Sequence, residues 1–181
     1  MMRIATLMSI VVSISIVLVG SGLTGNHASA EMLDAPTLHS LSNTQKSTLR
    51  TFWAHVHQDK QHLDRLLDKI SVNNPLTVEQ ENSVFVAVHN EANRDEKRLG
   101  KFNVPDSLPL LFGLWMNRSM LATELSYKSY EDYSSLARLY LTDGKTSTLN
   151  QATASFRDAL NQWNDAERYI DQILMFTKAA S

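Results

Sequence analysis

From residue 42 onward, apolar positions recur at spacings of three and four in four long stretches, each bounded by helix-stopping residues. In the first, Leu49, Phe52, Val56, Leu63, Leu66 and Ile70 fall on one line, as expected for a helix that buries one face. Ser42-Asn43-Thr44-Gln45 reads as a capping box at its start. Asn73-Asn74-Pro75 ends it after about Ser71, because proline cannot continue a helix. A second capping box, Thr77-Val78-Glu79-Gln80, opens a helix with the stripe Val78, Phe85, Val88, Ala92 and Leu99. Lys97 and Arg98 sit at its negative dipole end, and Gly100 stops it. The run Val84 to Val88 resembles a strand by composition, but the periodic context on both sides favours helix.

The third helix is expected to begin near Asp106 or Ser107, with Pro109 in its first turn, and to reach Thr142. Leu111, Leu114, Trp115, Leu121, Leu125, Leu136 and Leu139 are its expected apolar side, and the Ser- and Tyr-rich stretch 126–135 invites a kink. The fourth, from about Ser147 to Lys178, carries the least interrupted stripe: Leu149, Ala152, Phe156, Ala159, Trp163, Ala166, Ile170 and Ile173. Short connections between long amphipathic helices imply antiparallel neighbours. The expected fold is all-α, an antiparallel up-down-up-down four-helix bundle over residues 42–179, preceded by an irregular lead-in at 31–41.

The N-terminus changes the picture of location. Arg3 precedes an apolar stretch from Ile4 to Val19, and Ala28-Ser29-Ala30 is an A-x-A cleavage signal. The apolar stretch is shorter than the roughly 20 residues of a spanning helix, so a leader cleaved after Ala30 is expected, with an uncleaved anchor as the rival. The product would be secreted or extracytoplasmic, at the periplasm or cell envelope of a bacterium. No apolar run after the leader is long enough for an integral membrane span.

The chain of 181 residues has no cysteine, which excludes a disulfide framework and thiolate metal sites. Removal of Arg3 with the leader takes the net charge from −2 to −3, and no basic stripe points to nucleic acid. There is no Gly-rich phosphate loop, G-x-S-x-G elbow or H-E-x-x-H. Asn117-Arg118-Ser119 matches a glycosylation triplet, but it lies inside a helix near the core line and reads as chance.

Candidate chemistry lies where polar residues interrupt the stripes. Asp59, Glu81 and Asp95 fall on core lines, and Arg118 falls between Leu114 and Leu121. Centring the first two connections near residues 74 and 103 sets Asp59, His89 and Arg118 at one level, as a polar core layer. The bland reading is an Arg–carboxylate pair neutralising a buried acid. The sharper reading is a divalent metal: His55, Asp59 and His62 share a helix face, and His89 would approach from the second helix. A third reading has Arg118 binding an anionic ligand beside Trp115 or Trp163. Tyr130, Tyr133 and Tyr140 share a face and form a candidate interaction strip for a protein or a cell-wall component, with core packing as the alternative. With no catalytic constellation, the expected function is binding without catalysis and without a cofactor.

Overall fold

The computed structural model describes residues 41–70, 75–106 and 108–179, with the side chains of 176–179 left aside. The expected leader, its cleavage site and residues 31–40 of the lead-in lie outside the described residues, as do Asn73, Asn74 and Ser107. Among the described residues four helices form, α1 (Asn43–Leu67), α2 (Val78–Leu99), α3 (Leu110–Asp143) and α4 (Thr146–Ala179), and no strand. They pack as a bundle in which α4 lies along α3, α3 along α2, and α2 along α1.

Both capping boxes form. The Ser42 hydroxyl accepts from the Gln45 backbone N–H at 3.2 Å, and the Gln45 side chain accepts from the Ser42 N–H at 2.8 Å. Thr77 and Gln80 repeat this at the start of α2. Each exchange satisfies two backbone donors that a helix start otherwise leaves open. Val84 to Val88 lie within α2, as periodicity requires. Helix α1 ends at Leu67, about a turn before the expected stop, and α3 starts at Leu110 because Pro109 is held extended (φ −53°, ψ 143°). Gly144 adopts φ 62° and donates to the Tyr140 carbonyl at 2.9 Å, which closes α3 in the left-handed conformation that glycine favours.

The core faces of α1 and α4 are those expected. On α4 every residue of the stripe from Leu149 to Ile173 is buried, and on α1 Asp59 is buried within the apolar line. On α2, Phe85, Val88, Ala92 and Leu99 are buried, together with Glu81, Glu91 and Asp95, while Val78 is half-exposed rather than part of the stripe.

Helix α3 is turned the other way. Its buried face is Phe112, Met116, Ser119, Ala122, Thr123, Ser126, Tyr127, Tyr130, Tyr133, Ser134, Ala137 and Tyr140, not the leucine side. The reason is the fit to α4. Ser119 donates to the Ala166 carbonyl at 3.1 Å and Ser126 to the Ala159 carbonyl at 2.8 Å, so two small side chains let the α3 and α4 backbones approach closely. Tyrosines fill the volume between: Tyr130 and Tyr133 pack on Phe156, and Tyr133 meets Phe85 edge-on at 5.7 Å. An aromatic ring buries roughly 150–250 Å², so packing this face against α4 removes a large apolar surface from water. The Ser126 hydroxyl is satisfied across the interface and that of Ser134 by the Glu131 carbonyl of its own helix, and the helix passes through 126–135 without a break.

The connection after α2 also departs from expectation. His89 lies against Glu131 and Ser135, Asn82 bonds to Arg138, and Glu96 pairs with Lys128. Leu99 is therefore level with Leu121 to Glu124, and the first turns of α3 run past the end of α2. Phe102, Val104 and Leu108 of the connection pack on the core along this stretch, so the segment climbs the bundle instead of turning tightly at residue 103.

Candidate functional site

Asp59 is the centre of a polar knot that ties three helices. One carboxylate oxygen accepts from Arg98 of α2, and the other accepts from the Tyr127 hydroxyl of α3 at 3.1 Å. Arg98 also reaches Asp95 Oδ1 at 3.1 Å, and Arg94 Nε lies 3.5 Å from the same oxygen. Arg94 pairs in addition with Glu91, whose Oε1 is 2.8 Å from His62 Nδ1 on α1. Three buried carboxylates thus share two guanidinium groups, each of which is about half-exposed. Such sharing satisfies buried acids while the cations keep water on one side.

Asp95 is the least comfortable member. It is fully buried, and its Oδ2 has no hydrogen-bond partner among the described residues. Burial first, and the charges of Asp59 and Glu91 next, push its carboxyl up to about 6 against the opposing pull of Arg98 and Arg94. Burial likewise raises the Tyr127 phenol, which keeps it a neutral hydrogen-bond donor to Asp59. A second acid, Glu81, is buried near Tyr133 with neither carboxylate oxygen partnered among the described residues, and burial raises its pKa as well.

The expected layer of Asp59, His89 and Arg118 is therefore corrected. Arg98 takes the role assigned to Arg118, while Arg118 is exposed and lies 5.8 Å from the Tyr169 ring on α4. His89 is half-buried further along α2, with Nδ1 3.5 Å from both the Glu131 carbonyl oxygen and Ser135 Oγ. The four candidate metal ligands are not brought together either. His55 is exposed, His62 turns to Glu91, His89 faces α3, and Asp59 is already neutralised by a cation. Among the described residues no group of three or more His, Asp or Glu side chains is arranged to hold a metal ion. The exposed position of Arg118 also removes the internal anion site built on it.

Tyr130, Tyr133 and Tyr140 do not form a surface strip. All three are buried, and the Tyr130 and Tyr133 hydroxyls have no hydrogen-bond partner among the described residues. The spacing placed them on one face; that face is the core.

What α3 presents to solvent is its leucine side. Leu110 is 91% exposed, Leu114 45%, Leu121 56% and Leu125 39%, all in the first half of the helix. Further along, the same side carries Lys128, Asp132 and Arg138, with Leu139 half-exposed beyond them. Beside Leu121 an open groove of ≈ 420 Å³ runs between the end of α2 and the first half of α3, lined by Leu99, Met120, Asn117, Glu96 and Glu124 among others. Single exposed leucines are ordinary, but a row of four along one helix edge needs an explanation. The spacing of Leu114, Leu121 and Leu125 carries a signal that periodicity alone takes for a core line, and Leu110 lies outside the expected apolar side.

No helix among the described residues is long and apolar enough to cross a membrane. The chain matches no family model, no curated protein and no solved structure.

Proposed function

We propose that this is an exported binding protein without catalytic activity, an up-down-up-down antiparallel bundle that engages a protein partner through the leucine row of α3. The row Leu110, Leu114, Leu121 and Leu125 carries this reading, since a helix normally turns such a face inward. The antiparallel order is supported by the way neighbouring contacts descend: Asp59 with Arg98 and then His62 with Glu91, Asn82 with Arg138 and then Glu96 with Lys128, Ser119 with Ala166 and then Ser126 with Ala159. Export is supported by the order Arg3, Ile4 to Val19, Ala28-Ser29-Ala30, with cleavage after Ala30. The polar knot at Asp59 is structural in this reading: its acids are occupied by arginines, and it fixes how α1, α2 and α3 meet.

The test is a photo-crosslinking amino acid placed at Leu121, and for comparison at the exposed Asn161 of α4, in the producing cells. A discrete adduct at 121 and none at 161 supports a contact face on α3. No adduct at either position would reject it. Mass spectrometry of the secreted chain tests export, with Glu31 expected as the first residue.

A further inference from the structure

We propose that the partner seated on the leucine row is a second copy of this chain, with the two α3 helices paired antiparallel about a two-fold axis; this rests on reading the row as a contact face. Leu111, Leu114, Arg118, Leu121 and Leu125 alternate by three and four, the spacing of a coiled-coil seam. Within the bundle Arg118 lies against the Tyr169 ring of α4, while Leu114, Leu121 and Leu125 of the seam stay exposed among the described residues. Phe112, Met116, Ser119, Thr123, Ser126 and Tyr130 on the other side already fill the interior. Helix α3 therefore has two apolar faces, one of them without a helix opposite it among the described residues.

The charges within the seam say which partner and which direction. Arg118 is the one polar residue among the five. A parallel pairing would set Arg118 against its own copy, and so would an antiparallel pairing slipped by three residues. The antiparallel register that places Leu114 on the second copy's Leu125 puts Leu121 on the aliphatic stem of the second copy's Arg118. The guanidinium then lies beside Glu124, and the two-fold axis makes this contact twice. Leu111 meets the stem of Lys128 in the same register. Glu124 is available for this role: it is bonded to Lys128 at 2.6 Å, and Lys128 has an alternative partner in Glu96 at 3.4 Å. A polar residue inside an apolar seam sets register in this way. The groove beside Leu121 is open on that flank of α3 and has space for side chains of the second copy.

Sedimentation velocity on the full chain tests the pairing, with circular dichroism to confirm that each variant is folded. A dimer is expected, and Leu121→Asp, at an exposed position, should weaken it by at least about tenfold with unchanged helicity. Arg118→Glu and Glu124→Arg should each weaken it, and the double variant should recover most of the loss. A monomer up to about 1 mM, corresponding to association weaker than about 4 kcal/mol, would overturn the proposal. So would association indifferent to Leu121→Asp, or a double variant no better than the single ones. A monomer whose residue-121 crosslinker still captures a protein of another mass would end this inference and leave the contact face standing; no adduct at all would end both.

Discussion

Asp59 on α1 is paired with Arg98 on α2, and Arg98 simultaneously holds Asp95, so one half-exposed guanidinium is shared by two buried carboxylates. The two partners are therefore not equivalent. Replacing Arg98 by Ala leaves Asp59 and Asp95 facing each other with only Arg94 nearby. Replacing Asp59 by Ala leaves Arg98 free to reach water and removes one charge that repels Asp95. The expected loss for Arg98→Ala is about 3 kcal/mol, at the low end for a broken buried pair because the arginine is half-exposed. Asp59→Ala should lose less, about 1–2 kcal/mol, chiefly the orphaned Tyr127 hydroxyl. Urea unfolding of the two variants checks the order, and an equal loss would speak against the sharing.

The raised carboxyl of Asp95 makes stability depend on pH in a defined direction. In the unfolded chain an Asp titrates near 3.9, and in the folded protein Asp95 titrates at about 6. Below about 4 both states hold the proton and Asp95 contributes nothing. Between the two values the folded state binds more protons, so stability falls as pH rises, and above about 6 the full penalty is present. Glu81 and Glu131, also raised by burial first, act in the same direction. The melting temperature should thus be higher at pH 5 than at pH 7.5. Asp95→Asn should stabilise the protein relative to the parent as pH rises from 4 to 7, by on the order of 2 kcal/mol across that range. Calorimetry at four pH values decides it, and a parallel shift at every pH would reject the assignment to Asp95.

The two faces of α3 should respond oppositely to truncation. Tyr133→Ala removes a buried ring packed on Phe85 and Phe156 and should lose about 3–5 kcal/mol. Leu121→Ala, on the exposed side, should change monomer stability by no more than about 0.5 kcal/mol. Chemical denaturation of dilute protein separates them. A costly Leu121→Ala beside a harmless Tyr133→Ala would mean that the helix is rotated.

The close approach of α3 and α4 depends on the size of Ser126 more than on its hydrogen bond. Ser126→Ala loses only the bond to the Ala159 carbonyl, about 1 kcal/mol. Ser126→Leu forces the two backbones apart and should lose about 1–3 kcal/mol or more, despite its higher hydrophobicity. If thermal unfolding ranked the leucine variant above the alanine variant, the helices would not be in close contact there.

Local patterns carried the helices and the core faces of α1 and α4. The capping boxes at Ser42 and Thr77 and the stop at Gly144 involve residues within one turn of each other, so they are written in short stretches of chain. The stripe of α4 is apolar on one side only, which leaves one way to bury it. Level matching across helices was less legible. His89 was expected opposite Asp59, but Asp95 and Arg98 stand there, about two turns further along α2. The connections are not symmetric turns, and the one carrying Phe102 and Val104 has its own packing on the core. The position of Arg98 at the end of α2 suits the helix dipole, and its spacing of three from Asp95 on the core line is the local signal of their ion pair.

The number of helices, their start signals and the inward face of α4 follow from the sequence, because they depend on neighbours three or four residues apart. The rotation of α3, and with it the burial of the tyrosines and the exposure of the leucines, depends on the bundle. Both faces of α3 are apolar enough to be buried, so periodicity leaves the choice open. The small residues Ser119 and Ser126, which admit the α4 backbone, settle it only when α4 is in place.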